Sequence, residues 1–283
     1  MKGEMRPNLG LRKNLRSRLE KALRHNLDLR KERSIEGHEE GYGFYDLSLG
    51  NFGASFDDVF PNDHSRPVED QFKKYIQNTL LENTEGGKDF TAVEFGGPGS
   101  MLFQGFDPNF FRRTIGVCLT DIRTPKQKET DTAHSHSVIT GDITEVMLAE
   151  VLRKVREELG STGTDLIICR MIGGQIGIDH HPAILDKIIR SWYEMLNYNG
   201  MIFAQFNSYQ NNAVRPDLWV KFLKERFPSI EITINNKTGR ENLKNDMALY
   251  SLDTIRLHKK EGAPARLPTG TQLFRGTPNK KSP

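Results

Sequence analysis

The sequence predicts an α/β protein: a mostly parallel sheet of seven strands with helices on both faces, a C-terminal antiparallel hairpin and a helical N-terminal extension. Three observations predict it. From Phe90 onward, short apolar runs alternate with stretches of helical periodicity, the pattern of repeated βαβ units. The last two apolar runs are separated by a polar turn too short to hold a helix, so they must pair with each other as a hairpin. A length of 283 residues suits one such core with extensions, because single cores stop growing near ~250–300 residues.

The N-terminal extension opens with a basic amphipathic helix. Leu11, Leu15, Leu19, Ala22, Leu23 and Leu27 recur at three- and four-residue steps, and the arginines and lysines take the other face. The stretch 41–61 follows, whose glycines at 41, 43, 50 and 53 deny it a long regular element. Val68, Phe72, Tyr75, Ile76 and Leu80 then predict a helix over 68–81, and 82–89 reads as a polar turn. The expected strands are 90–95, 114–120, 137–140, 165–171 and 200–206, with helical or polar stretches at 101–111, 123–136, 143–159 and 182–197 between them. The closing hairpin is expected from 231–236 and 246–252.

Charge is unevenly placed along the chain. Residues 1–33 carry 11 Lys and Arg against 4 Asp and Glu, and residues 256–283 carry 7 against 1. That leaves 22 basic and 32 acidic residues in the body. Basic ends suit nucleic acid or an acidic partner, and equally serve as solvated, solubilising segments. No apolar run approaches the ~20 residues that span a bilayer, and no signal-peptide pattern opens the chain, so the expected compartment is the cytoplasm. Cys118 and Cys169 each sit in an apolar run and read as core residues, not as a disulfide.

The chemistry concentrates where the first strand ends, in Glu94-Phe95-Gly96-Gly97-Pro98-Gly99-Ser100. Glycines in the first turn of an open parallel sheet let backbone approach a ligand beyond the strand ends. The second strand is followed by Asp121-Ile122 and the third by Gly141-Asp142-Ile143. An acid, a glycine-rich turn (Gly96, Gly97, Gly99) and two further acids at successive strand ends resemble class I S-adenosylmethionine-dependent methyltransferases over roughly residues 88–256. The resemblance implies a Rossmann-like fold and S-adenosyl-L-methionine as cofactor. It implies that Glu94 and the glycines shape the cofactor turn, that Asp121 beside Ile122 holds the ribose, and that Asp142 with Ile143 meets the adenine. The family's fuller pattern has glycines where Pro98 and Ser100 stand. A dinucleotide fingerprint fails because Leu102 stands where a small residue is needed, and no GxxxxGK[ST] phosphate loop occurs.

Candidates for acceptor chemistry are fewer. His180 and His181, beyond the fourth strand, are placed to take a proton from an acceptor hydroxyl, or simply to cap the following helix; Arg170 is placed to meet an anionic acceptor, or to pair with a carboxylate at the core edge. His134 and His136 form no metal-ligand spacing with other residues, so no metal is expected. The fourth strand lacks an Asn/Asp-Pro-Pro-aromatic signature and the chain has no Pro-Cys nucleophile, which weighs against DNA methylation and leaves the acceptor open among small molecules, proteins and RNA. The alternative is a non-catalytic methyltransferase-like module that binds nucleic acid or a protein through its basic ends. The expected organisation is a basic helix with an aromatic, glycine-rich lid region at 1–85, a cofactor-binding methyltransferase domain at 86–256 and a disordered basic tail at 257–283. In the lid region Tyr42, Phe44, Tyr45, Phe52, Phe56 and Phe60 either enclose an acceptor or pack the helix 68–81 onto the sheet.

Overall fold

In a computed structural model of the chain, residues 48–60, 63, 65–82, 89–143, 148–160, 163–170, 182–207, 216–243 and 246–270 are described. The chain divides between Gly43 and Phe44, and every described residue belongs to the second unit. The elements run α1 (Leu49–Gly53), a 3₁₀ turn (Ala54–Phe56), α2 (Val68–Leu81), β1 (Phe90–Phe95), α3 (Ser100–Gln104), β2 (Phe111–Cys118), α4 (Pro125–Ala133), β3 (His136–Thr140), α5 (Leu148–Leu159), β4 (Thr164–Cys169), α6 (Pro182–Met195), β5 (Leu196–Asn207), α7 (Pro216–Arg226), β6 (Ile230–Leu243) and β7 (Asp246–Lys259).

The strands form one seven-stranded sheet in the order β3-β2-β1-β4-β5-β7-β6. β1 to β5 pair in parallel, and β7 lies antiparallel between β5 and β6. The order reverses between β1 and β4, since the chain steps outward through β2 to β3 and then returns to the other side of β1. Every residue of β1 and of β4 is buried, which is why both read as continuous apolar runs: a parallel sheet is covered on two faces. On one face Val93, Phe95, Ile115, Val117, Ile167 and Cys169 pack with apolar residues of α5, α6 and α7. On the other, Ala92, Leu166, Ile168, Met201 and Phe203 pack with α1, α2 and α3.

That second face settles the role of the described aromatics of the N-terminal segment. Phe52, Phe56 and Phe60 are buried. Phe56 stacks on Phe72 of α2 and meets Phe203 of β5 edge-on, with centroids 5.2 Å apart. These rings are core, not lid, and burial of each contributes roughly 1.5–3 kcal/mol. The body of the protein therefore starts before residue 86, because α1 and α2 cover the sheet. Tyr42, Phe44, Tyr45 and the basic helix lie outside the described residues.

Two further expectations are corrected. The closing hairpin extends well past 231–236 and 246–252: β6 and β7 pair from Ile230 with Lys259 to Leu243 with Asp246. Antiparallel partners satisfy each other's backbone whatever their side chains, so the polar stretch after Asn236 continues as strand. The tail expected to be disordered from 257 is ordered to Gly270. Leu257 to Lys259 complete β7, Ala263 and Leu267 are buried in the main core, Tyr193 Oη donates to the Pro264 carbonyl at 2.7 Å, and Gly270 N–H donates to Asp186 Oδ1 at 2.6 Å. Two anchored apolar side chains outweigh a Pro- and Gly-rich composition. No helix among the described residues is long and apolar enough to cross a membrane.

Candidate functional site

Open parallel sheets bind ligands outside the carboxyl ends of their strands, where the strand order reverses. Here that place lies between β1 and β4, and the turn Gly96–Gly99 leaves β1 into it. Gly96 has φ 102° and donates its N–H to the Val117 carbonyl at 2.9 Å; Gly99 has φ 76° and caps α3. Both backbones lie in the left-handed region that side chains disfavour. Gly97 is needed for another reason, since a Cβ there would collide with the Arg170 guanidinium. Gly116 of β2 is the counterpart beneath the turn: a Cβ on it would run into the Pro98 carbonyl, so its absence lets the turn settle onto the sheet.

A buried ion pair lies under this turn. Arg170, just beyond β4, pairs through Nε with Glu94 of β1, and their side chains are 2% and 0% exposed. Arg170 N–H also donates to the Phe95 carbonyl at 3.0 Å. Of the two expectations for Arg170, the structure shows the pairing with a carboxylate at the core edge, which holds the guanidinium inside. Glu94 is likewise buried, with its carboxyl oxygens against Gly97 and Gly99 of the turn.

Asp121 stands past the end of β2 on the same edge. Its Oδ1 accepts from the backbone N–H of Arg123 at 3.1 Å and from Arg123 Nε at 3.0 Å; its Oδ2 accepts from Arg123 Nη2 at 3.1 Å and lies 3.3 Å from Lys128 Nζ. Partial burial pushes the Asp121 carboxyl up, but the Arg123 hydrogen bonds outweigh it and hold it at about 2. A carboxylate offers about four lone-pair sites, and these four donors fill them. Arg123 reaches on through Nη1 to Asp131 Oδ2 at 2.8 Å, where Ser100 Oγ also donates at 2.5 Å. Burial pushes the neighbouring Cys118 thiol up to about 12, which removes it as a nucleophile.

The remaining candidates divide. Asp142 is buried directly after β3, and Ile122 is half-buried beside Asp121. Ile143 is 6% exposed and packs in the main core beside Asp142 in sequence. His180 and His181 lie outside the described residues. The pair His134 and His136 separates: His134 is exposed and bonds the Thr130 carbonyl, while His136 is buried between Thr114 and Pro98. Sequence reasoning missed Arg123, Asp131, Thr114 and Gly116. Only the closeness of Arg123 to Asp121 was a signal. A cavity of about 270 Å³ opens beside α3 and α4, with Phe103, Phe106, Phe111, Asp131 and His136 in its wall.

No protein-family model matches the chain, and no curated protein does. Among solved structures it is similar to precorrin-8w decarboxylase from Methanobacterium thermoautotrophicum (17% identity, 65% of this chain and 88% of that one, TM-score 0.35). It is similar to the N-methyltransferase NodS from Bradyrhizobium japonicum (12%, 70% and 100%, TM-score 0.38). It is also similar to a SAM-dependent methyltransferase from Agrobacterium tumefaciens (14%, 69% and 63%, TM-score 0.43). Methyltransferases thus recur among the similar structures, at low identity and low TM-score.

Proposed function

We propose that the chain binds S-adenosyl-L-methionine at the carboxyl edge of its sheet and transfers the methyl group to an acceptor. The observation that carries this reading is the placement of three features after successive neighbouring strands of the parallel sheet: the turn Gly96–Gly99 after β1, at the reversal of strand order, Asp121 after β2 and Asp142 after β3. The residues fit the group. Glycine backbone offers close approach, and a carboxylate held at about 2 is ionised at neutral pH and suited to a pair of ribose hydroxyls. Arg123 must then yield at least part of its hold on Asp121, because the lone pairs are filled.

The cofactor supplies a methyl group on an activated sulfonium, so the chain's task is to hold an acceptor in line with it. Gly97 and Gly99 line the approach, and the buried Glu94–Arg170 pair keeps the turn in place. Asp121 takes the ribose and Asp142 the adenine amino group. Ile122 and Ile143 lie alongside as the apolar neighbours of these two acids. His180 and His181 are the candidates to receive a proton where the acceptor is a hydroxyl. The acceptor is a small molecule, a protein or an RNA, with the basic termini as the surface for an acidic partner.

A second reading, a non-catalytic module, is favoured by the filled lone pairs of Asp121 and by the inward turn of Arg170. Isothermal titration with S-adenosylhomocysteine separates the two. Micromolar binding is expected, and Asp121→Ala should weaken it by ~1.5–3 kcal/mol, the range for a hydrogen bond to a charged group. Absence of binding at millimolar ligand would overturn the proposal.

A further inference from the structure

His136 opens β3 and is 7% exposed. Its Nε2 lies 2.7 Å from the Pro98 carbonyl oxygen, and its Nδ1 lies 2.8 Å from Thr114 Oγ1. A carbonyl only accepts, so Nε2 carries the proton and donates to Pro98; in the neutral ring Nδ1 then accepts from the Thr114 hydroxyl. Burial pushes the imidazole below its ordinary range, the nearby Asp131 charge notwithstanding, which keeps the neutral ring in place.

The direction of that bond matters. Val117 pairs with Phe95 at the top of β1, whereas His136 pairs with Thr114, nearer the amino end of the sheet. The Pro98 carbonyl faces the bare Gly116 of β2 and the His136 ring, onto the sheet. In a trans peptide the C=O and the following N–H point in opposite directions, and no peptide among the described residues is cis. Holding the Pro98 oxygen against the sheet therefore aims the Gly99 N–H away from it. Pro98 itself brings no N–H, so the Gly99 donor carries more of the turn's capacity to bind a ligand than it would in a turn of glycines.

We propose that His136, held in its Nε2–H form by Thr114, is the positioning residue that presents the Gly99 amide to the ligand of the glycine turn. This rests on the cofactor reading above, and the experiment keeps the two apart. The full chain labelled with ¹⁵N is used in four forms: unchanged, His136→Gln, His136→Phe and Thr114→Val. The probe is S-adenosylhomocysteine. In the unchanged protein the imidazole nitrogens should report a proton on Nε2. Thr114→Val should admit a fraction of the Nδ1–H form. His136→Phe should shift the Gly97 and Gly99 amides and weaken probe binding by about tenfold, the worth of one hydrogen bond held in geometry. His136→Gln, whose amide can donate to the same carbonyl, should restore both. A proton on Nδ1 in the unchanged protein, or a folded His136→Phe with unaltered Gly99 amide, overturns the inference. Should His136→Phe fail to fold, the Thr114→Val tautomer and the His136→Gln affinity decide it. Failure of the unchanged protein to bind the probe refutes the cofactor reading instead, and the tautomer and amide signals still decide the role of His136.

Discussion

The ion pair of Glu94 and Arg170 shows what a single residue can and cannot tell. Position alone marked Glu94, because an acid before a glycine turn at the end of a strand has few other reasons to be there. Position also marked Arg170, but the direction of its side chain depends on what lies beneath the turn, and sequence carries no record of that space. Removing one member of a sealed pair costs ~3–5 kcal/mol, whereas replacing both with apolar groups is often neutral. Arg170→Met should therefore destabilise strongly in urea titrations. Glu94→Leu combined with Arg170→Met should recover most of the loss. Equal losses in the single and double variants would mean that the pair does not act as a unit. Arg123 is a similar case: its nearness to Asp121 is legible, but its bridging of Asp121 and Asp131 needs α4 folded beside the loop.

Elements were legible where periodicity was unbroken and both faces were apolar. β1 and β4 emerged within a residue or two of their runs, and Val68–Leu81 was read to the residue from its helical spacing. Boundaries failed where the deciding partner is distant in sequence. The polar half of β6 is strand because β7 lies beside it, and the segment 260–270 is ordered because α6 offers it Tyr193 and Asp186. That segment contributes the burial of Leu267 and Ala263 and two hydrogen bonds, together ~3–5 kcal/mol at ~1 per hydrogen bond and ~1.5–3 for the leucine. A chain ending at Lys259 should thus melt roughly 6–20 °C below one ending at Gly270, at about 2–4 °C per kcal/mol for a protein of this size. Coincident melting curves would show that the docking of 260–270 adds nothing to stability.

At the scale of the whole molecule two buried histidines and two partnered carboxylates all make the fold acid-sensitive. His136, on the edge strand β3, and His258, on β7 toward the other end of the strand order, are both pushed below the ordinary histidine range by burial. Asp131 opposes this at His136, with Arg123 and Arg113 adding to it; at His258, Glu231 opposes and Lys260 and Arg256 add. A histidine whose folded pKa is depressed binds fewer protons folded than unfolded, so stability is complete above the unfolded value of ~6.5 and falls as pH drops through and below it. The carboxylates follow at lower pH. Burial would raise Glu231, but Arg256 and Lys260 hold it at about 2, as Arg123 holds Asp121. Both contribute stability above the ordinary carboxylate range that is lost as pH falls from ~4 toward 2. Urea midpoints should accordingly be flat from pH 8 to 7, begin to decline as pH drops below ~6.5, and decline again below ~4. Gln cannot take up a proton, so His258→Gln combined with His136→Gln should flatten the first decline and leave the second. A first decline unchanged in that double variant would assign the acid sensitivity to other groups.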